Sequence, residues 1–328
     1  MNAIPIVDVT PLVTGQGNPD ETVRAIDRAC RDIGVFAVTG HGIDPELPER
    51  LSQLSREFFA LGEDKKSEIA MSNGGVAWRG WFPLGGELTS GIPDQKEGIY
   101  FGAELTEDDP RVSSHTPMHG ANLFPKQPVA LRAAVLEYID QLTNLAHAVT
   151  RGVSLALGID VDWLRSHFFE DPLVLLRVFR YPPIVDELHA QWSVGEHTDY
   201  GFLTLLHQDD SGGLQVKTSD QWIDVDPMPN VFICNLGDML DRLTAGAYRS
   251  TPHRVINRSG SERISIPFFF DPGWNTVIAS LPGTVETGDD RPRWDGVDIQ
   301  TIEGTYGDYV YSKVSKVFPK LRKNVDEP

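Results

Sequence analysis

Basic residues are scarce in this chain: 29 Lys and Arg stand against 47 Asp and Glu, for a formal net charge of −18. Binding to nucleic acid needs Lys and Arg gathered against phosphates, so that class is excluded. Cysteine is scarcer still. Cys30 and Cys234 both sit in apolar or amphipathic segments and read as buried reduced thiols, not as a disulfide framework. No run of 18 apolar residues is present to span a membrane. The opening MNAIPIVDVTPLV has no basic stretch followed by an apolar one, so no secretory signal is expected and the cytoplasm is the default. Repeats, low-complexity tracts and linkers are missing too. With a hydrophobic fraction of 40% and 7 Trp, the 328 residues suffice for one domain with a large core.

The first half reads as helices alternating with short strands. IPIVDVTPL suits an edge strand stopped by Pro11, and Val23, Ile26, Ala29 and Cys30 space a helix over about 19–33. GVFAVTGHGI reads as a buried strand, and Leu51, Leu54, Phe58 and Phe59 mark a second amphipathic helix over about 48–60. Residues 71–98 are glycine-rich and carry Trp78, Arg79, Trp81 and Phe82, which predicts a long lid or binding loop, or else a surface loop whose aromatics pack on the core. A long helix is expected over about 129–157, stopped by Gly158. From Leu173 onward short β runs separated by turn residues predict a sandwich or barrel braced by helices.

His197 and Asp199 in VGEHTDYGF and His253 in STPHRVINR are the candidate metal ligands. In a strand, residues two apart share a face, so His-x-Asp at a strand end projects both groups into one cavity. Two imidazoles and one carboxylate are the facial set of a non-haem Fe(II) site, in which the remaining positions stay open. Zinc accepts the same ligands, but the helical H-E-x-x-H pattern is absent: Thr198 follows His197, and Gly201 stands where the second histidine would. His41, His115, His119, His147, His167, His189 and His207 have no partner at ligand spacing and are expected in turns, loops or packing. Arg263 and Ser265, two apart on the next strand, would grip a carboxylate with a planar fork and a hydroxyl. The alternative is a surface arginine paired with Glu262 or Asp271.

These residues resemble the isopenicillin N synthase-like branch of the Fe(II)- and 2-oxoglutarate-dependent dioxygenases, over nearly the whole chain. The likeness is carried by IPIVDV, ACRDIGVFAVTGHGI, FRYPP, EHTDYGFLTLLHQDDSGGLQV, YRSTPHRVIN and ERISIPFFFDP. It implies a double-stranded β-helix, or jelly roll, over about 173–285 behind a helix and strand region over about 1–120. By the same likeness, His197, Asp199 and His253 bind iron, Arg263 and Ser265 bind the distal carboxylate of 2-oxoglutarate, and Tyr181 donates a hydrogen bond nearby. The implied activity is oxidation of an unactivated C–H bond of a small molecule of secondary metabolism, such as antibiotic biosynthesis. The outcome would be hydroxylation, desaturation or cyclisation, with release of succinate and CO2 and with ascorbate as a stimulant. An isopenicillin N synthase-like or ascorbate-using oxidase that consumes no keto acid is the second reading, and a metabolite-binding protein without turnover is the third. Substrate contacts are expected from Trp78, Arg79, Trp81, Phe82, Phe179, Phe268 or Phe270, and the segment Tyr306–Tyr311. A monomer or homodimer is expected, with neither membrane nor nucleic acid as partner.

Overall fold

The computed structural model describes residues 4–89, 91–183, 192–218, 221–284 and 293–318. In chain order the elements are β1 (Ile6–Asp8), α1 (Thr10–Thr14), α2 (Asp20–Asp32), β2 (Val35–Thr39), α3 (Glu46–Phe59) and α4 (Glu63–Lys66). There follow β3 (Gly80–Phe82), β4 (Leu88–Thr89), β5 (Ile92–Pro93), β6 (Glu97–Gly102), α5 (Pro110–Ser113), α6 (Leu131–Ala156) and α7 (Trp163–His167). The second half holds β7 (Leu173–Tyr181), β8 (Val194–His197), β9 (Leu203–Gln208), β10 (Leu214–Lys217), β11 (Trp222–Val225) and β12 (Phe232–Leu236). It ends with α8 (Asp238–Leu243), β13 (His253–Val255), β14 (Arg263–Asp271) and α9 (Tyr306–Val317).

Eight strands form a major sheet in the order β1-β2-β12-β9-β14-β7-β6-β3, and four form a minor sheet in the order β11-β10-β13-β8. The arrangement is a jelly-roll core with bracing helices. The N-terminal strands do not stand apart from it, since β1 and β2 extend one edge of the major sheet and β6 and β3 the other. Expectation and structure differ over 71–98. Gly80–Phe82 and Glu97–Gly102 are paired strands of the sheet, while the 3-10 segment Met71–Ala77 and the β4–β5 hairpin stand outside it. No alternating pattern marks those strands, because GWF and EGIYFG are buried on both faces.

The backing helix α6 follows its sequence pattern. Leu131, Val135, Ile139, Leu142, Leu145, Ala146 and Val149 are all buried on one face. Burying that stripe contributes on the order of 10 kcal/mol, which outweighs the modest helix propensity of its valines and threonines. Gly158 follows the helix at φ +70°, a left-handed stop that a residue with a Cβ adopts at a cost.

Candidate metal centre and co-substrate pocket

The antiparallel register of β8 and β13 sets His197 directly opposite His253. Directly opposed residues share a face at close range, and the two rings lie with centroids 4.2 Å apart. Asp199 falls two residues beyond the end of β8, in a turn and not on the strand. Its backbone carbonyl accepts from the Asp238 N–H at 2.8 Å, which anchors that turn to the start of α8. One ligand atom from each of His197, Asp199 and His253 lies within 4.8 Å of the others, and His253 Nε2 is 3.7 Å from Asp199 Oδ1.

The outward sides of all three groups are already engaged. His197 Nδ1 lies 2.8 Å from the Gly195 carbonyl and His253 Nδ1 lies 3.2 Å from the Thr251 carbonyl. A carbonyl only accepts, so each Nδ1 carries a proton and each Nε2 is the nitrogen left for the shared side. The Thr204 hydroxyl donates to Asp199 Oδ2 at 2.7 Å, leaving Oδ1 on the shared side. Burial, with the His253 ring beside it, lowers the His197 pKa to about 3, so the ring stays neutral. Two imidazole nitrogens and one carboxylate oxygen converging from one side fit a divalent first-row ion.

The triad lines a cavity of about 110 Å³ between the two sheets, and Arg263, Ser265 and Tyr181 line the same cavity. β14 pairs with β7 so that Arg263 stands opposite Tyr181 and Ser265 opposite Phe179. Arg263 is completely buried, so it is not the surface residue of the alternative reading. Neither proposed partner takes it: Glu262 receives Arg180 at 2.8 Å, and Asp271 receives the Tyr306 hydroxyl at 2.7 Å. Its Nε donates to the Gly212 carbonyl at 2.6 Å and its charge lies 4.9 Å from the Tyr181 ring centroid, while Nη1 has no partner among the described residues. The Tyr181 and Ser265 hydroxyls lie 3.3 Å apart beside it. A buried cation with an unused donor and two adjacent hydroxyls is a receptor for an anion.

Of the substrate contacts expected from sequence, Phe179 lines the cavity, and so does the C-terminal segment through Val310 of α9. The others lie elsewhere. Trp78 stacks on Tyr311 with centroids 5.8 Å apart, and Arg79 is buried, donating to the Met118 carbonyl at 2.8 Å. Trp81 Nε1 donates to Glu97 at 2.9 Å, and Phe82 packs edge-on behind Phe179 at 6.4 Å. Phe268 is buried outside the cavity lining, and Phe270 faces His147 and Phe169 on the helix-covered side of the sheet. Strand parity explains that outcome. Arg263, Ser265, Pro267, Phe269 and Asp271 line the cavity, so the even-numbered residues of β14 point away.

The same parity on β7 brings in Leu175 and Arg177 with Phe179 and Tyr181, and Glu87 and Lys96 close the far side. Lys96 sits between Glu87 at 2.9 Å and Asp94 at 2.7 Å. Burial disfavours its charge, but the two carboxylates outweigh that and hold its pKa above the ordinary value. Sequence reasoning passed over Arg177 although the signal was available: in LVLLRVFRY it shares a face with Tyr181. Glu87 and Lys96 carried no such signal, because chain folding alone brings β6 and the hairpin to this cavity. Among the other histidines, His207 is packed without a partner for Nε2, and His189 lies outside the described residues.

The family model of the non-haem dioxygenase N-terminal region in morphine synthesis matches residues 4–127, and that of the 2OG-Fe(II) oxygenase superfamily matches residues 171–272. A Dictyostelium discoideum protein named as a probable iron/ascorbate oxidoreductase is 44% identical over 98% of this chain and 96% of its own. A homoarginine-6-hydroxylase of Arabidopsis thaliana is 35% identical over 96% of this chain and 98% of its own. Among solved structures, a full-length Neurospora crassa protein in complex with alpha-KG and thymine superposes with a TM-score of 0.78 at 29% identity, covering 95% of this chain and 96% of that one. No helix among the described residues is long and apolar enough to cross a membrane. The fold, the meeting of two histidines and an aspartate, and full-length relatives agree: the chain belongs to the 2OG-Fe(II) oxygenase superfamily and is a 2-oxoglutarate-dependent dioxygenase working with Fe(II), 2-oxoglutarate and O2.

Proposed function

We propose that His197, Asp199 and His253 hold the Fe(II), and that Arg263, Ser265 and Tyr181 hold the distal carboxylate of 2-oxoglutarate. The observation that carries this assignment is that one cavity contains both the three free ligand atoms and the buried, under-bonded guanidinium. Bound Fe(II) supplies the redox chemistry with O2, and the protein supplies position. The two Nδ1 bonds and Thr204 fix the ligands, and Arg263 with the paired hydroxyls fixes the keto acid. Leu206, Leu214, Val255 and the α9 valines surround the site with apolar surface that excludes water.

For hydroxylation, 2-oxoglutarate, O2 and R–H give succinate, CO2 and R–OH, with one oxygen atom in succinate and one in the alcohol. The substrate is a small molecule, matched to a cavity of about 110 Å³ between the sheets. The fully buried thiols Cys30 and Cys234 suit a reducing compartment, in keeping with a cytoplasmic enzyme. Anaerobic Fe(II) titration and succinate release test the assignment. Asp199→Ala should lose iron, whereas Arg263→Ala should keep iron and raise the 2-oxoglutarate KM by roughly ten- to a hundredfold, the value of a charge-assisted pair of bonds. Unchanged keto-acid dependence in Arg263→Ala would refute the anion role.

A further inference from the structure

The cavity contains a second arginine whose hydrogen-bond donors the chain itself does not satisfy. Arg177 lies on the cavity face of β7, four residues from Tyr181. That spacing puts it roughly 13 Å along the strand from the level of Arg263, at about 3.3 Å per residue. Its guanidinium carbon lies over two rings, 4.3 Å from the Tyr100 centroid and 4.6 Å from the Phe269 centroid. Its side chain is 14% exposed, yet among the described residues its guanidinium makes no hydrogen bond, and Nε is buried without a partner. Glu87 Oε1 stands 3.6 Å from Nη1, an ion pair without a hydrogen bond, and Glu87 also takes Lys96 at 2.9 Å and the Tyr100 hydroxyl at 2.6 Å. Leaving a buried guanidinium unsatisfied is costly, whereas a rigid fork aimed into a cavity is ready for a planar anion. The two ring contacts hold the group in place in advance, so little side-chain entropy is lost when an anion docks.

We infer that the substrate carries a carboxylate, and that Arg177 grips it at the end of the cavity away from Arg263. The inference rests on the assignment of Arg263 to 2-oxoglutarate, because only then is Arg177 left for the second ligand. A carboxylate held by Arg177 orients the substrate end-on and sets which carbon faces the metal, so this residue determines both substrate class and position of oxidation. Lys96, lying 4.4 Å from the Phe179 ring, is already taken by Glu87 and Asp94 and offers no such fork.

The test uses the Fe(II)-loaded enzyme with a panel of amino acids and of alkyl and aryl carboxylic acids, each paired with its carboxamide. Stimulated succinate release and product formation are measured. The acids should stimulate turnover and the amides should need concentrations roughly ten- to a hundredfold higher. In Arg177→Gln that acid-to-amide ratio should fall towards one, and Arg177→Lys should restore it in part, since charge returns but the fork does not. Acid and amide acting equally on the wild type, a panel with no active acid, or an unchanged ratio in Arg177→Gln would each overturn the inference. Binding of 2-oxoglutarate to the wild-type Fe(II) protein is measured separately. Its absence would refute the assignment of Arg263 and with it the ground for Arg177, whereas 2-oxoglutarate bound normally with an unchanged acid-to-amide ratio in Arg177→Gln would refute Arg177 alone.

Discussion

At Gly201 the chain has no room for a side chain. A Cβ there would lie 1.6 Å from Asp271 Oδ1, in the turn that carries Asp199 past the end of β8. Asp271 in turn accepts from the Phe202 N–H at 3.1 Å and from the Tyr306 hydroxyl at 2.7 Å, so it cannot swing aside without losing both. Gly201→Ala should therefore destabilise the fold by about 1–3 kcal/mol in urea unfolding, through overpacking and broken bonds together. His207 makes a pH prediction. Desolvation lowers its pKa to about 4, while the unfolded chain keeps the ordinary value near 6.5. The unfolded state then takes up the proton first as pH falls, so stability is lost from about pH 6.5 down to about pH 4. Because the ring is half-buried, the loss at pH 5 should be on the order of 1 kcal/mol, and His207→Phe should flatten that part of the unfolding profile.

At the scale of elements, the site depends on strand register and on what backs the strands. β13 and β8 place the two histidines opposite each other by pairing alone, whereas Asp199 is placed by a turn pinned to α8. The segment before α9 adds a clamp. Arg293 donates to Asp238 at 2.8 Å, and the Trp294 ring N–H reaches the hydroxyl of Thr198, between the two ligands, at 3.2 Å. α6 does no chemistry, but its buried stripe supports the major sheet, and its His147 meets Phe270 of β14 edge-on. Leu142→Ala should cost about 2–5 kcal/mol, the usual range for a buried leucine. Iron bound per folded molecule should stay unchanged, because the helix touches no ligand. A proportional loss of iron from the folded fraction would show that the helix positions the site directly.

Across the whole molecule, a chain poor in cations hides several of them: Arg79, Lys96, Arg177 and Arg263 are all largely buried. The two arginines 177 and 263 meet the metal triad in one cavity between the sheets, so a divalent ion should stabilise the folded state only. Anaerobic Fe(II) at roughly a hundredfold over its Kd should add about 2.7 kcal/mol and raise the melting midpoint. His253→Ala should abolish the rise, and a rise that persists in that variant would place the ion elsewhere. The sequence carried the helices, the β-rich second half, and the His-x-Asp, second histidine and Arg-x-Ser pattern. Those signals are local or depend on spacing within one strand. It left open whether the aromatics of 71–98 face a ligand or the core, because strands buried on both faces leave no alternation, and it put Phe268 and Phe270 on the cavity face of β14, where parity excludes them. Arg177 was legible in principle as a cation on the inward row of β7. That its guanidinium makes no hydrogen bond, that Glu87 already has other partners, and that the two arginines share one cavity were decided only when distant segments packed together. Charge matching and burial are properties of that packing and of no single stretch of chain.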